Sequence, residues 1–191
     1  MGRTEESVTF LQQAAAIYVE LGDTANEGRA RNNLAIYLIK LRRHDAARRE
    51  LQRAIECCKP FGHAAQPWKT WDILCDLEIA VKNPQAAAAA RQKAIDAYLA
   101  YRRAGGESQN LSAQLYALVG QAIQGGNTVA AEQFLTQLSE SEDTPDWGKI
   151  LNSKLQAILR GERNPALAAD PNLDYTHVAE LQLLLEGLQG K

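Results

Sequence analysis

Cys57, Cys58, His63 and Cys75 are the one cluster in this sequence whose side chains could ligate a metal. A structural zinc site takes paired ligands two to four residues apart, and this spacing supplies no two such pairs. Cys58 and Cys75 also fall on apolar helical stripes, so the cysteines read as buried thiols and no metal is expected. Asp72 and Asp76 stand one helical turn apart, where two carboxylates could hold a cation; they read as a plain exposed acidic face, the far more common case. His44 falls in a turn and His177 in the last helical segment, neither with a nucleophile in sequence reach. Trp68 and Trp71 near the start of a helix read as packing residues, with an aromatic anchor for a ligand as the alternative. Lys40, Arg42, Arg43, Arg48, Arg49 and Arg53 form a basic stretch, but Asp45 and Glu50 interrupt it and no phosphate-cradling glycine loop accompanies it. It reads as a solvated helix face, and a nucleic-acid partner is not expected. Nothing here assembles into a catalytic constellation, so neither an enzymatic activity nor a cofactor is expected.

The elements that position these residues are helical. The chain has 191 residues, 46% of them apolar and 23% charged, the range of an ordinary globular protein. Alanine occurs 31 times and aromatics make up only 6%, a balance that favours helix over sheet. The 21 basic and 23 acidic side chains nearly cancel, so no global field calls for an anionic partner. An odd number of cysteines, two of them adjacent, is the usage of a reducing compartment. No apolar run approaches 18 residues and no leader pattern is present, so a soluble cytoplasmic chain without a membrane partner is expected.

Sliding the sequence by 40 residues superposes Ser7, Ala47 and Ala87, then Ala14, Ala54 and Ala94, then Leu21, Phe61 and Tyr101. The same shift pairs Leu34 with Leu74 and Leu11 with Leu51; a further shift of 44 carries Leu74 to Leu118 and Ala87 to Ala131. Each unit holds two amphipathic stretches, such as Leu34, Leu38 and Leu41 followed by Ala47, Leu51, Ala54 and Ile55. Thr24 with Glu27 has the spacing of a capping box, and Asn83-Pro84 and Gln66-Pro67 place proline at a first helical position. The pattern predicts helices near 4–21, 24–41, 44–59, 67–82, 84–103, 108–124, 128–140, 146–160 and 174–189. Asp174 is expected to cap the last of them, and residues 161–174 to form an ordered connector packed through Leu167 and Leu173.

Large Leu34, small Ala35 and large Leu38, then Ala47, Leu51 and Ala54, resemble the signature of the tetratricopeptide repeat. Arg31-Asn32-Asn33-Leu34-Ala35 followed by Asp45-Ala46-Ala47 is closest to the longer repeats of kinesin-light-chain type. The resemblance spans about residues 4–140 and is strongest over 24–60. It departs at Cys75 and Val119, which stand where a small residue belongs. It implies an all-α, right-handed superhelix of helical hairpins, with repeats over 1–143 (the first unit incomplete) and divergent capping helices over 144–191.

The resemblance further implies a non-catalytic module that binds a peptide or helical segment of a partner protein in a concave groove. On this register the groove carries Arg29, Asn32, Asn33, Lys40, Lys69, Asp72, Asp76 and Tyr116, with Asn33 as the residue that exchanges hydrogen bonds with a peptide backbone. Asp72 and Ile73 occupy the next unit's matching places, so the carboxylate-clamp variety is not expected. An alternative implied by the resemblance is the C-terminal sensor region of a larger bacterial signalling ATPase. Residues 1–103 carry 16 basic and 12 acidic side chains and residues 104–191 carry 5 and 11, an asymmetry that would allow head-to-tail self-association.

Overall fold

The computed structural model describes residues 2–110 and 112–189. Those residues form nine α-helices and no strand: α1 (Gly2–Glu20), α2 (Thr24–Lys40), α3 (His44–Cys58), α4 (Pro67–Ala80), α5 (Pro84–Arg103), α6 (Ala113–Gln124), α7 (Val129–Glu140), α8 (Asp146–Leu159) and α9 (Tyr175–Gln189). Short 3₁₀ turns occupy Lys59–Ala65 and Pro165–Ala168. The chain is an all-α, tetratricopeptide-like helical repeat fold. Among the described residues no helix is long and apolar enough to cross a membrane.

One turn geometry recurs along the chain. After α1, α2, α4, α6 and α8 a residue with positive φ follows the helix: Gly22 (φ 68), Arg42 (φ 58), Lys82 (φ 58), Gly126 (φ 68) and Gly161 (φ 100). Each time the next amide reaches back five residues, as in Asp23 N–H to Tyr18 C=O at 2.9 Å, Arg43 to Leu38 at 2.8 Å and Asn83 to Glu78 at 2.9 Å. This is the Schellman closure, which satisfies orphan carbonyls at a helix end. At Arg42 and Lys82 the left-handed backbone carries a side chain, a conformation glycine would adopt without penalty.

The starts of the helices use several devices. Asp23, not Thr24, caps α2: its carboxylate accepts from Asn26 N–H at 3.0 Å. Glu27 is therefore not half of a capping box; it is buried and bonds Arg31 and Arg53 instead. Asn83 accepts from Ala86 N–H at 3.2 Å and Asp174 from His177 N–H at 2.9 Å, as the sequence indicates. Helix α6 begins at Ala113 rather than near 108, because Asn110 Oδ1 takes Ser112 N–H at 2.7 Å and Ser108 bonds Glu180. Those bonds spend in a turn what would otherwise start a helix.

Two compact units divide the chain at Tyr101 and Arg102. In the first, α1 packs on α2, α2 on α3, and both α2 and α3 on α4. Its main cluster joins Val8, Leu34, Ala35, Leu38, Ala47, Leu51 and Leu77, and a smaller one joins Cys75 to Ala87 and Ala90. Trp68 is fully buried, edge-on to Tyr98 at 5.6 Å, and Trp71 lies beneath Lys93 Nζ at 4.3 Å. Trp68 thus serves packing, while Trp71 is only half-buried. In the second unit α6, α7, α8 and α9 pack around Leu135, Leu151, Leu155, Ile158, Val178 and Leu181. The connector is ordered: Ala168 and Leu173 are buried, and the turn Pro165–Ala168 packs on α9. The extension of the sequence recurrence to residue 143, with 144–191 as a cap, we retain as a proposal.

Lys82→Gly removes the left-handed penalty where helix propensity is no longer at stake. It is expected to raise thermal stability by about 1 kcal/mol, or roughly 2–4 °C in Tm. Calorimetry of the variant against the parent chain checks it, and an unchanged or lower Tm refutes it.

Candidate functional site

Helix α2 has two faces with different duties. Leu34, Ala35 and Leu38 are buried on one side, while Arg29, Asn33 and Lys40 are exposed on the other. Three depressions meet along the exposed side. One of about 480 Å³ lies between α1 and α2, lined by Ser7, Phe10, Leu11, Asn33, Ile36, Tyr37 and Lys40. The next, of about 510 Å³, shares Asn33 and Ile36 with it and adds Arg29, Asn32, Ala64, Ala65, Gln66, Lys69 and Ile73. A third, of about 120 Å³, shares Arg29, Asn32, Ala64 and Ala65 and is lined further by Gly28, Cys57, Cys58 and Phe61. The shared residues make them one trough, with Asn33 at the junction of its two larger parts.

The trough is lined by cations and no carboxylate. Among the described residues Lys40 and Lys69 make no ion pair, and Lys40 Nζ rests over the Tyr37 ring at 5.3 Å. Arg29 reaches only the amide oxygen of Asn26, at 3.4 Å. Asn32 donates to Thr70 Oγ1 at 2.8 Å, while its own Oδ1 is buried without a partner among the described residues. An amide oxygen in that condition carries an uncompensated desolvation cost.

Five of the eight sequence-selected residues therefore line the trough: Arg29, Asn32, Asn33, Lys40 and Lys69. Asp72 and Asp76 sit further along the face of α4 and line none of the three depressions. Asp76 has its carboxyl pKa raised by desolvation. Tyr116 is in the second unit and is 6% exposed, its hydroxyl 2.7 Å from His177 Nδ1. It offers a ligand no open surface. The inward-turning pattern of α6, with Tyr116 and Val119 both buried, explains the difference.

Phe10, Ile36 and Tyr37, apolar walls of the trough, do not stand out in the sequence, while Ile73, another wall, occupies the place that matches Asn33 in the next unit. Their helical spacing is the same as that of core residues, so pattern alone cannot separate them. Phe61 and Gln66 were hidden for another reason: they belong to a 3₁₀ segment containing Gly62 (φ 53) and ending at Gln66 (φ 50), outside helical periodicity.

Three of the six cations in the basic stretch are ion-paired within the first unit. Arg43 pairs with Glu5 at 2.7 Å, Arg48 with Glu78 at 2.8 Å and Arg53 with Glu27 at 2.8 Å. The three thiols are free and buried, and burial raises the pKa of each, that of Cys57 to about 11. They are poor nucleophiles at neutral pH. Among the described residues no three His, Cys, Asp or Glu side chains converge on a metal position.

A family model described as tetratricopeptide repeat matches residues 1–59. Residues 1–59 are tetratricopeptide repeat. No curated protein and no solved structure matches the chain. Tetratricopeptide repeats generally mediate protein–protein interaction, and the matched segment contains α1, α2 and α3, hence the Arg29–Lys40 side of the trough.

Glu27 fixes the pose of α2 within the repeat. Bonds from Arg53 and Arg31, against the opposing effect of burial, lower its pKa from 4.5 to about 2. A carboxyl with a depressed folded-state pKa stabilises the fold above pH 4.5 and loses that contribution as the pH falls toward 2. The expected loss is roughly 3 kcal/mol over that window. Denaturant titrations from pH 6 to pH 2 check this. The Glu27→Gln variant should be less stable at pH 6 and show a flatter acid limb; an identical acid limb in both chains refutes it.

Proposed function

We propose that the first unit binds an extended, acidic segment of a partner protein along the trough beside α2. The continuity of the three depressions through Asn33, with Arg29, Lys40 and Lys69 along a lining free of carboxylates, carries this reading. Asn33 offers an amide donor and acceptor to a peptide backbone, which has both at every residue. Phe10, Ile36 and Ile73 give apolar side chains a place to leave water. The three cations supply charge complementarity, each contact being worth little alone because it is exposed, and the sum being sensitive to salt.

Peptide display against the full chain is expected to enrich segments that combine two or more Asp or Glu with an apolar residue. Asn33→Ala should weaken the best peptide about 3- to 10-fold, the value of one net hydrogen bond. Arg29→Glu should weaken it further and select against acidic segments. Both changes are surface changes and should leave Tm within about 2 °C. Enrichment of neutral or basic segments, or unaltered affinity in both variants, rejects the reading.

A further inference from the structure

His177 stands in the first turn of α9, in the second unit, and is 5% exposed. Its Nδ1 faces two donors, the Tyr116 hydroxyl at 2.7 Å and Asn110 Nδ2 at 3.0 Å. The Asn110 amide is fixed in that orientation, because its Oδ1 accepts from Ser112 N–H at 2.7 Å and its Nδ2 also donates to Thr176 Oγ1 at 2.7 Å. Nδ1 is therefore an acceptor. Burial holds the imidazole pKa below its ordinary value, so at neutral pH the ring carries a single proton, on Nε2. Among the described residues that Nε2–H has no hydrogen-bond partner, and it is not sealed from solvent. Asp174 Oδ2 faces it at 3.9 Å. The other oxygen of that carboxylate accepts from the His177 backbone N–H at 2.9 Å and the Thr176 hydroxyl at 2.6 Å. Oδ2 has no hydrogen-bond partner among the described residues, and the Asp174 side chain is 57% exposed.

Both residues line a cavity of about 410 Å³, within the roughly 300–1,000 Å³ of ligand pockets. At 3.9 Å the donor and the acceptor are too far apart to bond each other, and the gap is one that a single oxygen spans with a bond of about 2.8 Å to each. The bridging group must accept from Nε2–H and donate to Oδ2. An alcohol does both. An ammonium cannot accept. A carboxylate cannot donate, and its charge meets that of Asp174 with no Lys or Arg in the described lining to offset it. Trp147 forms another wall, stacked on His177 with ring centroids 4.8 Å apart and 44% exposed. The negative face of an indole attracts weakly positive C–H groups. Gln109, Ser112 and Asn172 complete the wall with neutral polar groups. A C–H face rimmed by hydroxyls, without net charge, is the chemistry of a pyranose ring. We propose that this cavity binds a neutral sugar, its ring against Trp147 and one hydroxyl bridging His177 Nε2 and Asp174 Oδ2. The site lies within the second unit and stands or falls independently of the trough beside α2.

The test titrates the ¹⁵N-labelled full chain with the methyl glycosides of glucose, galactose and mannose, and with tetrahydropyran, glucuronate and tetramethylammonium as controls. At least one glycoside is expected to shift the Trp147 indole signal saturably, with a millimolar Kd for so small a ligand, while the Trp68 and Trp71 indole signals stay still. Tetrahydropyran keeps the ring without its hydroxyls, glucuronate adds a negative charge and tetramethylammonium a positive one. Each control should bind at least about 10-fold more weakly than that glycoside. Asp174→Asn keeps the helix cap, since asparagine caps as well as aspartate, but removes the charged acceptor; it should weaken the glycoside about 10-fold or more and leave the chain folded. The proposal is overturned if no glycoside binds below about 100 mM, or if a control binds as well as the best glycoside. Unchanged affinity in a folded Asp174→Asn chain overturns it too, as does a high-resolution crystal structure grown with the best glycoside that shows only an ordered water between His177 and Asp174.

Discussion

The close approach of α2 to α3 is the constraint on which the rest of the first unit depends. A Cβ built on Gly28 would lie 3.0 Å from the Cβ of Cys57, nearer than ordinary packing allows. Ala47, Leu51 and Ala54 close the contact from the α3 side with no exposed surface. Small residues at the crossing let two backbones approach without large side chains between them, and the energy comes from many dispersion contacts at crystal-like density. Because that contact uses one side of α2, the other side carries Arg29, Asn33 and Lys40 with no duty to the core. The packed contact and the lining of the trough are separate faces of one helix.

Buried carboxylates fix how neighbouring elements meet. Glu27 on α2 accepts from Arg53 on α3, and Glu78 on α4 accepts from Arg48 on α3, so α3 is held from both sides by charged bonds at 2.8–2.9 Å. In the second unit Glu180 on α9 accepts from Arg102 at 2.8 Å and from Ser108 at 2.7 Å. Breaking such a pair leaves a buried charge uncompensated, at a cost of about 3–5 kcal/mol. These bonds add angular definition that alanine contacts, being small and smooth, do not supply.

The helices were legible in the sequence because alanine and leucine recur at a helical period and at a 40-residue spacing, and because proline, asparagine and glycine mark the ends. Nine expected segments correspond to nine observed helices within a few residues, apart from the late start of α6. The cap at Asp23 was misread: Thr24 and Glu27 have capping-box spacing, yet Glu27 is drawn inward by Arg53, a residue 26 positions away that no local pattern reveals. The lining of the trough was legible in part. Polar residues on α2 stand out against its apolar stripe, so Arg29, Asn32, Asn33 and Lys40 were readable. Tyr116 was not, since a tyrosine suits both a groove and a core, and its partner His177 lies 61 residues downstream.

The proposed use of the trough side of α2 for binding, opposite its packed side, is tested most directly by backbone amide shifts. The ¹⁵N-labelled full chain would be titrated with an acidic, partly apolar peptide selected on it. Shifts concentrated at residues 29–40 and 64–73, with α5 and residues 112–189 silent, are the result expected. Saturable binding with shifts centred on the outer face of α3 or on α5, and none along α2, would contradict it.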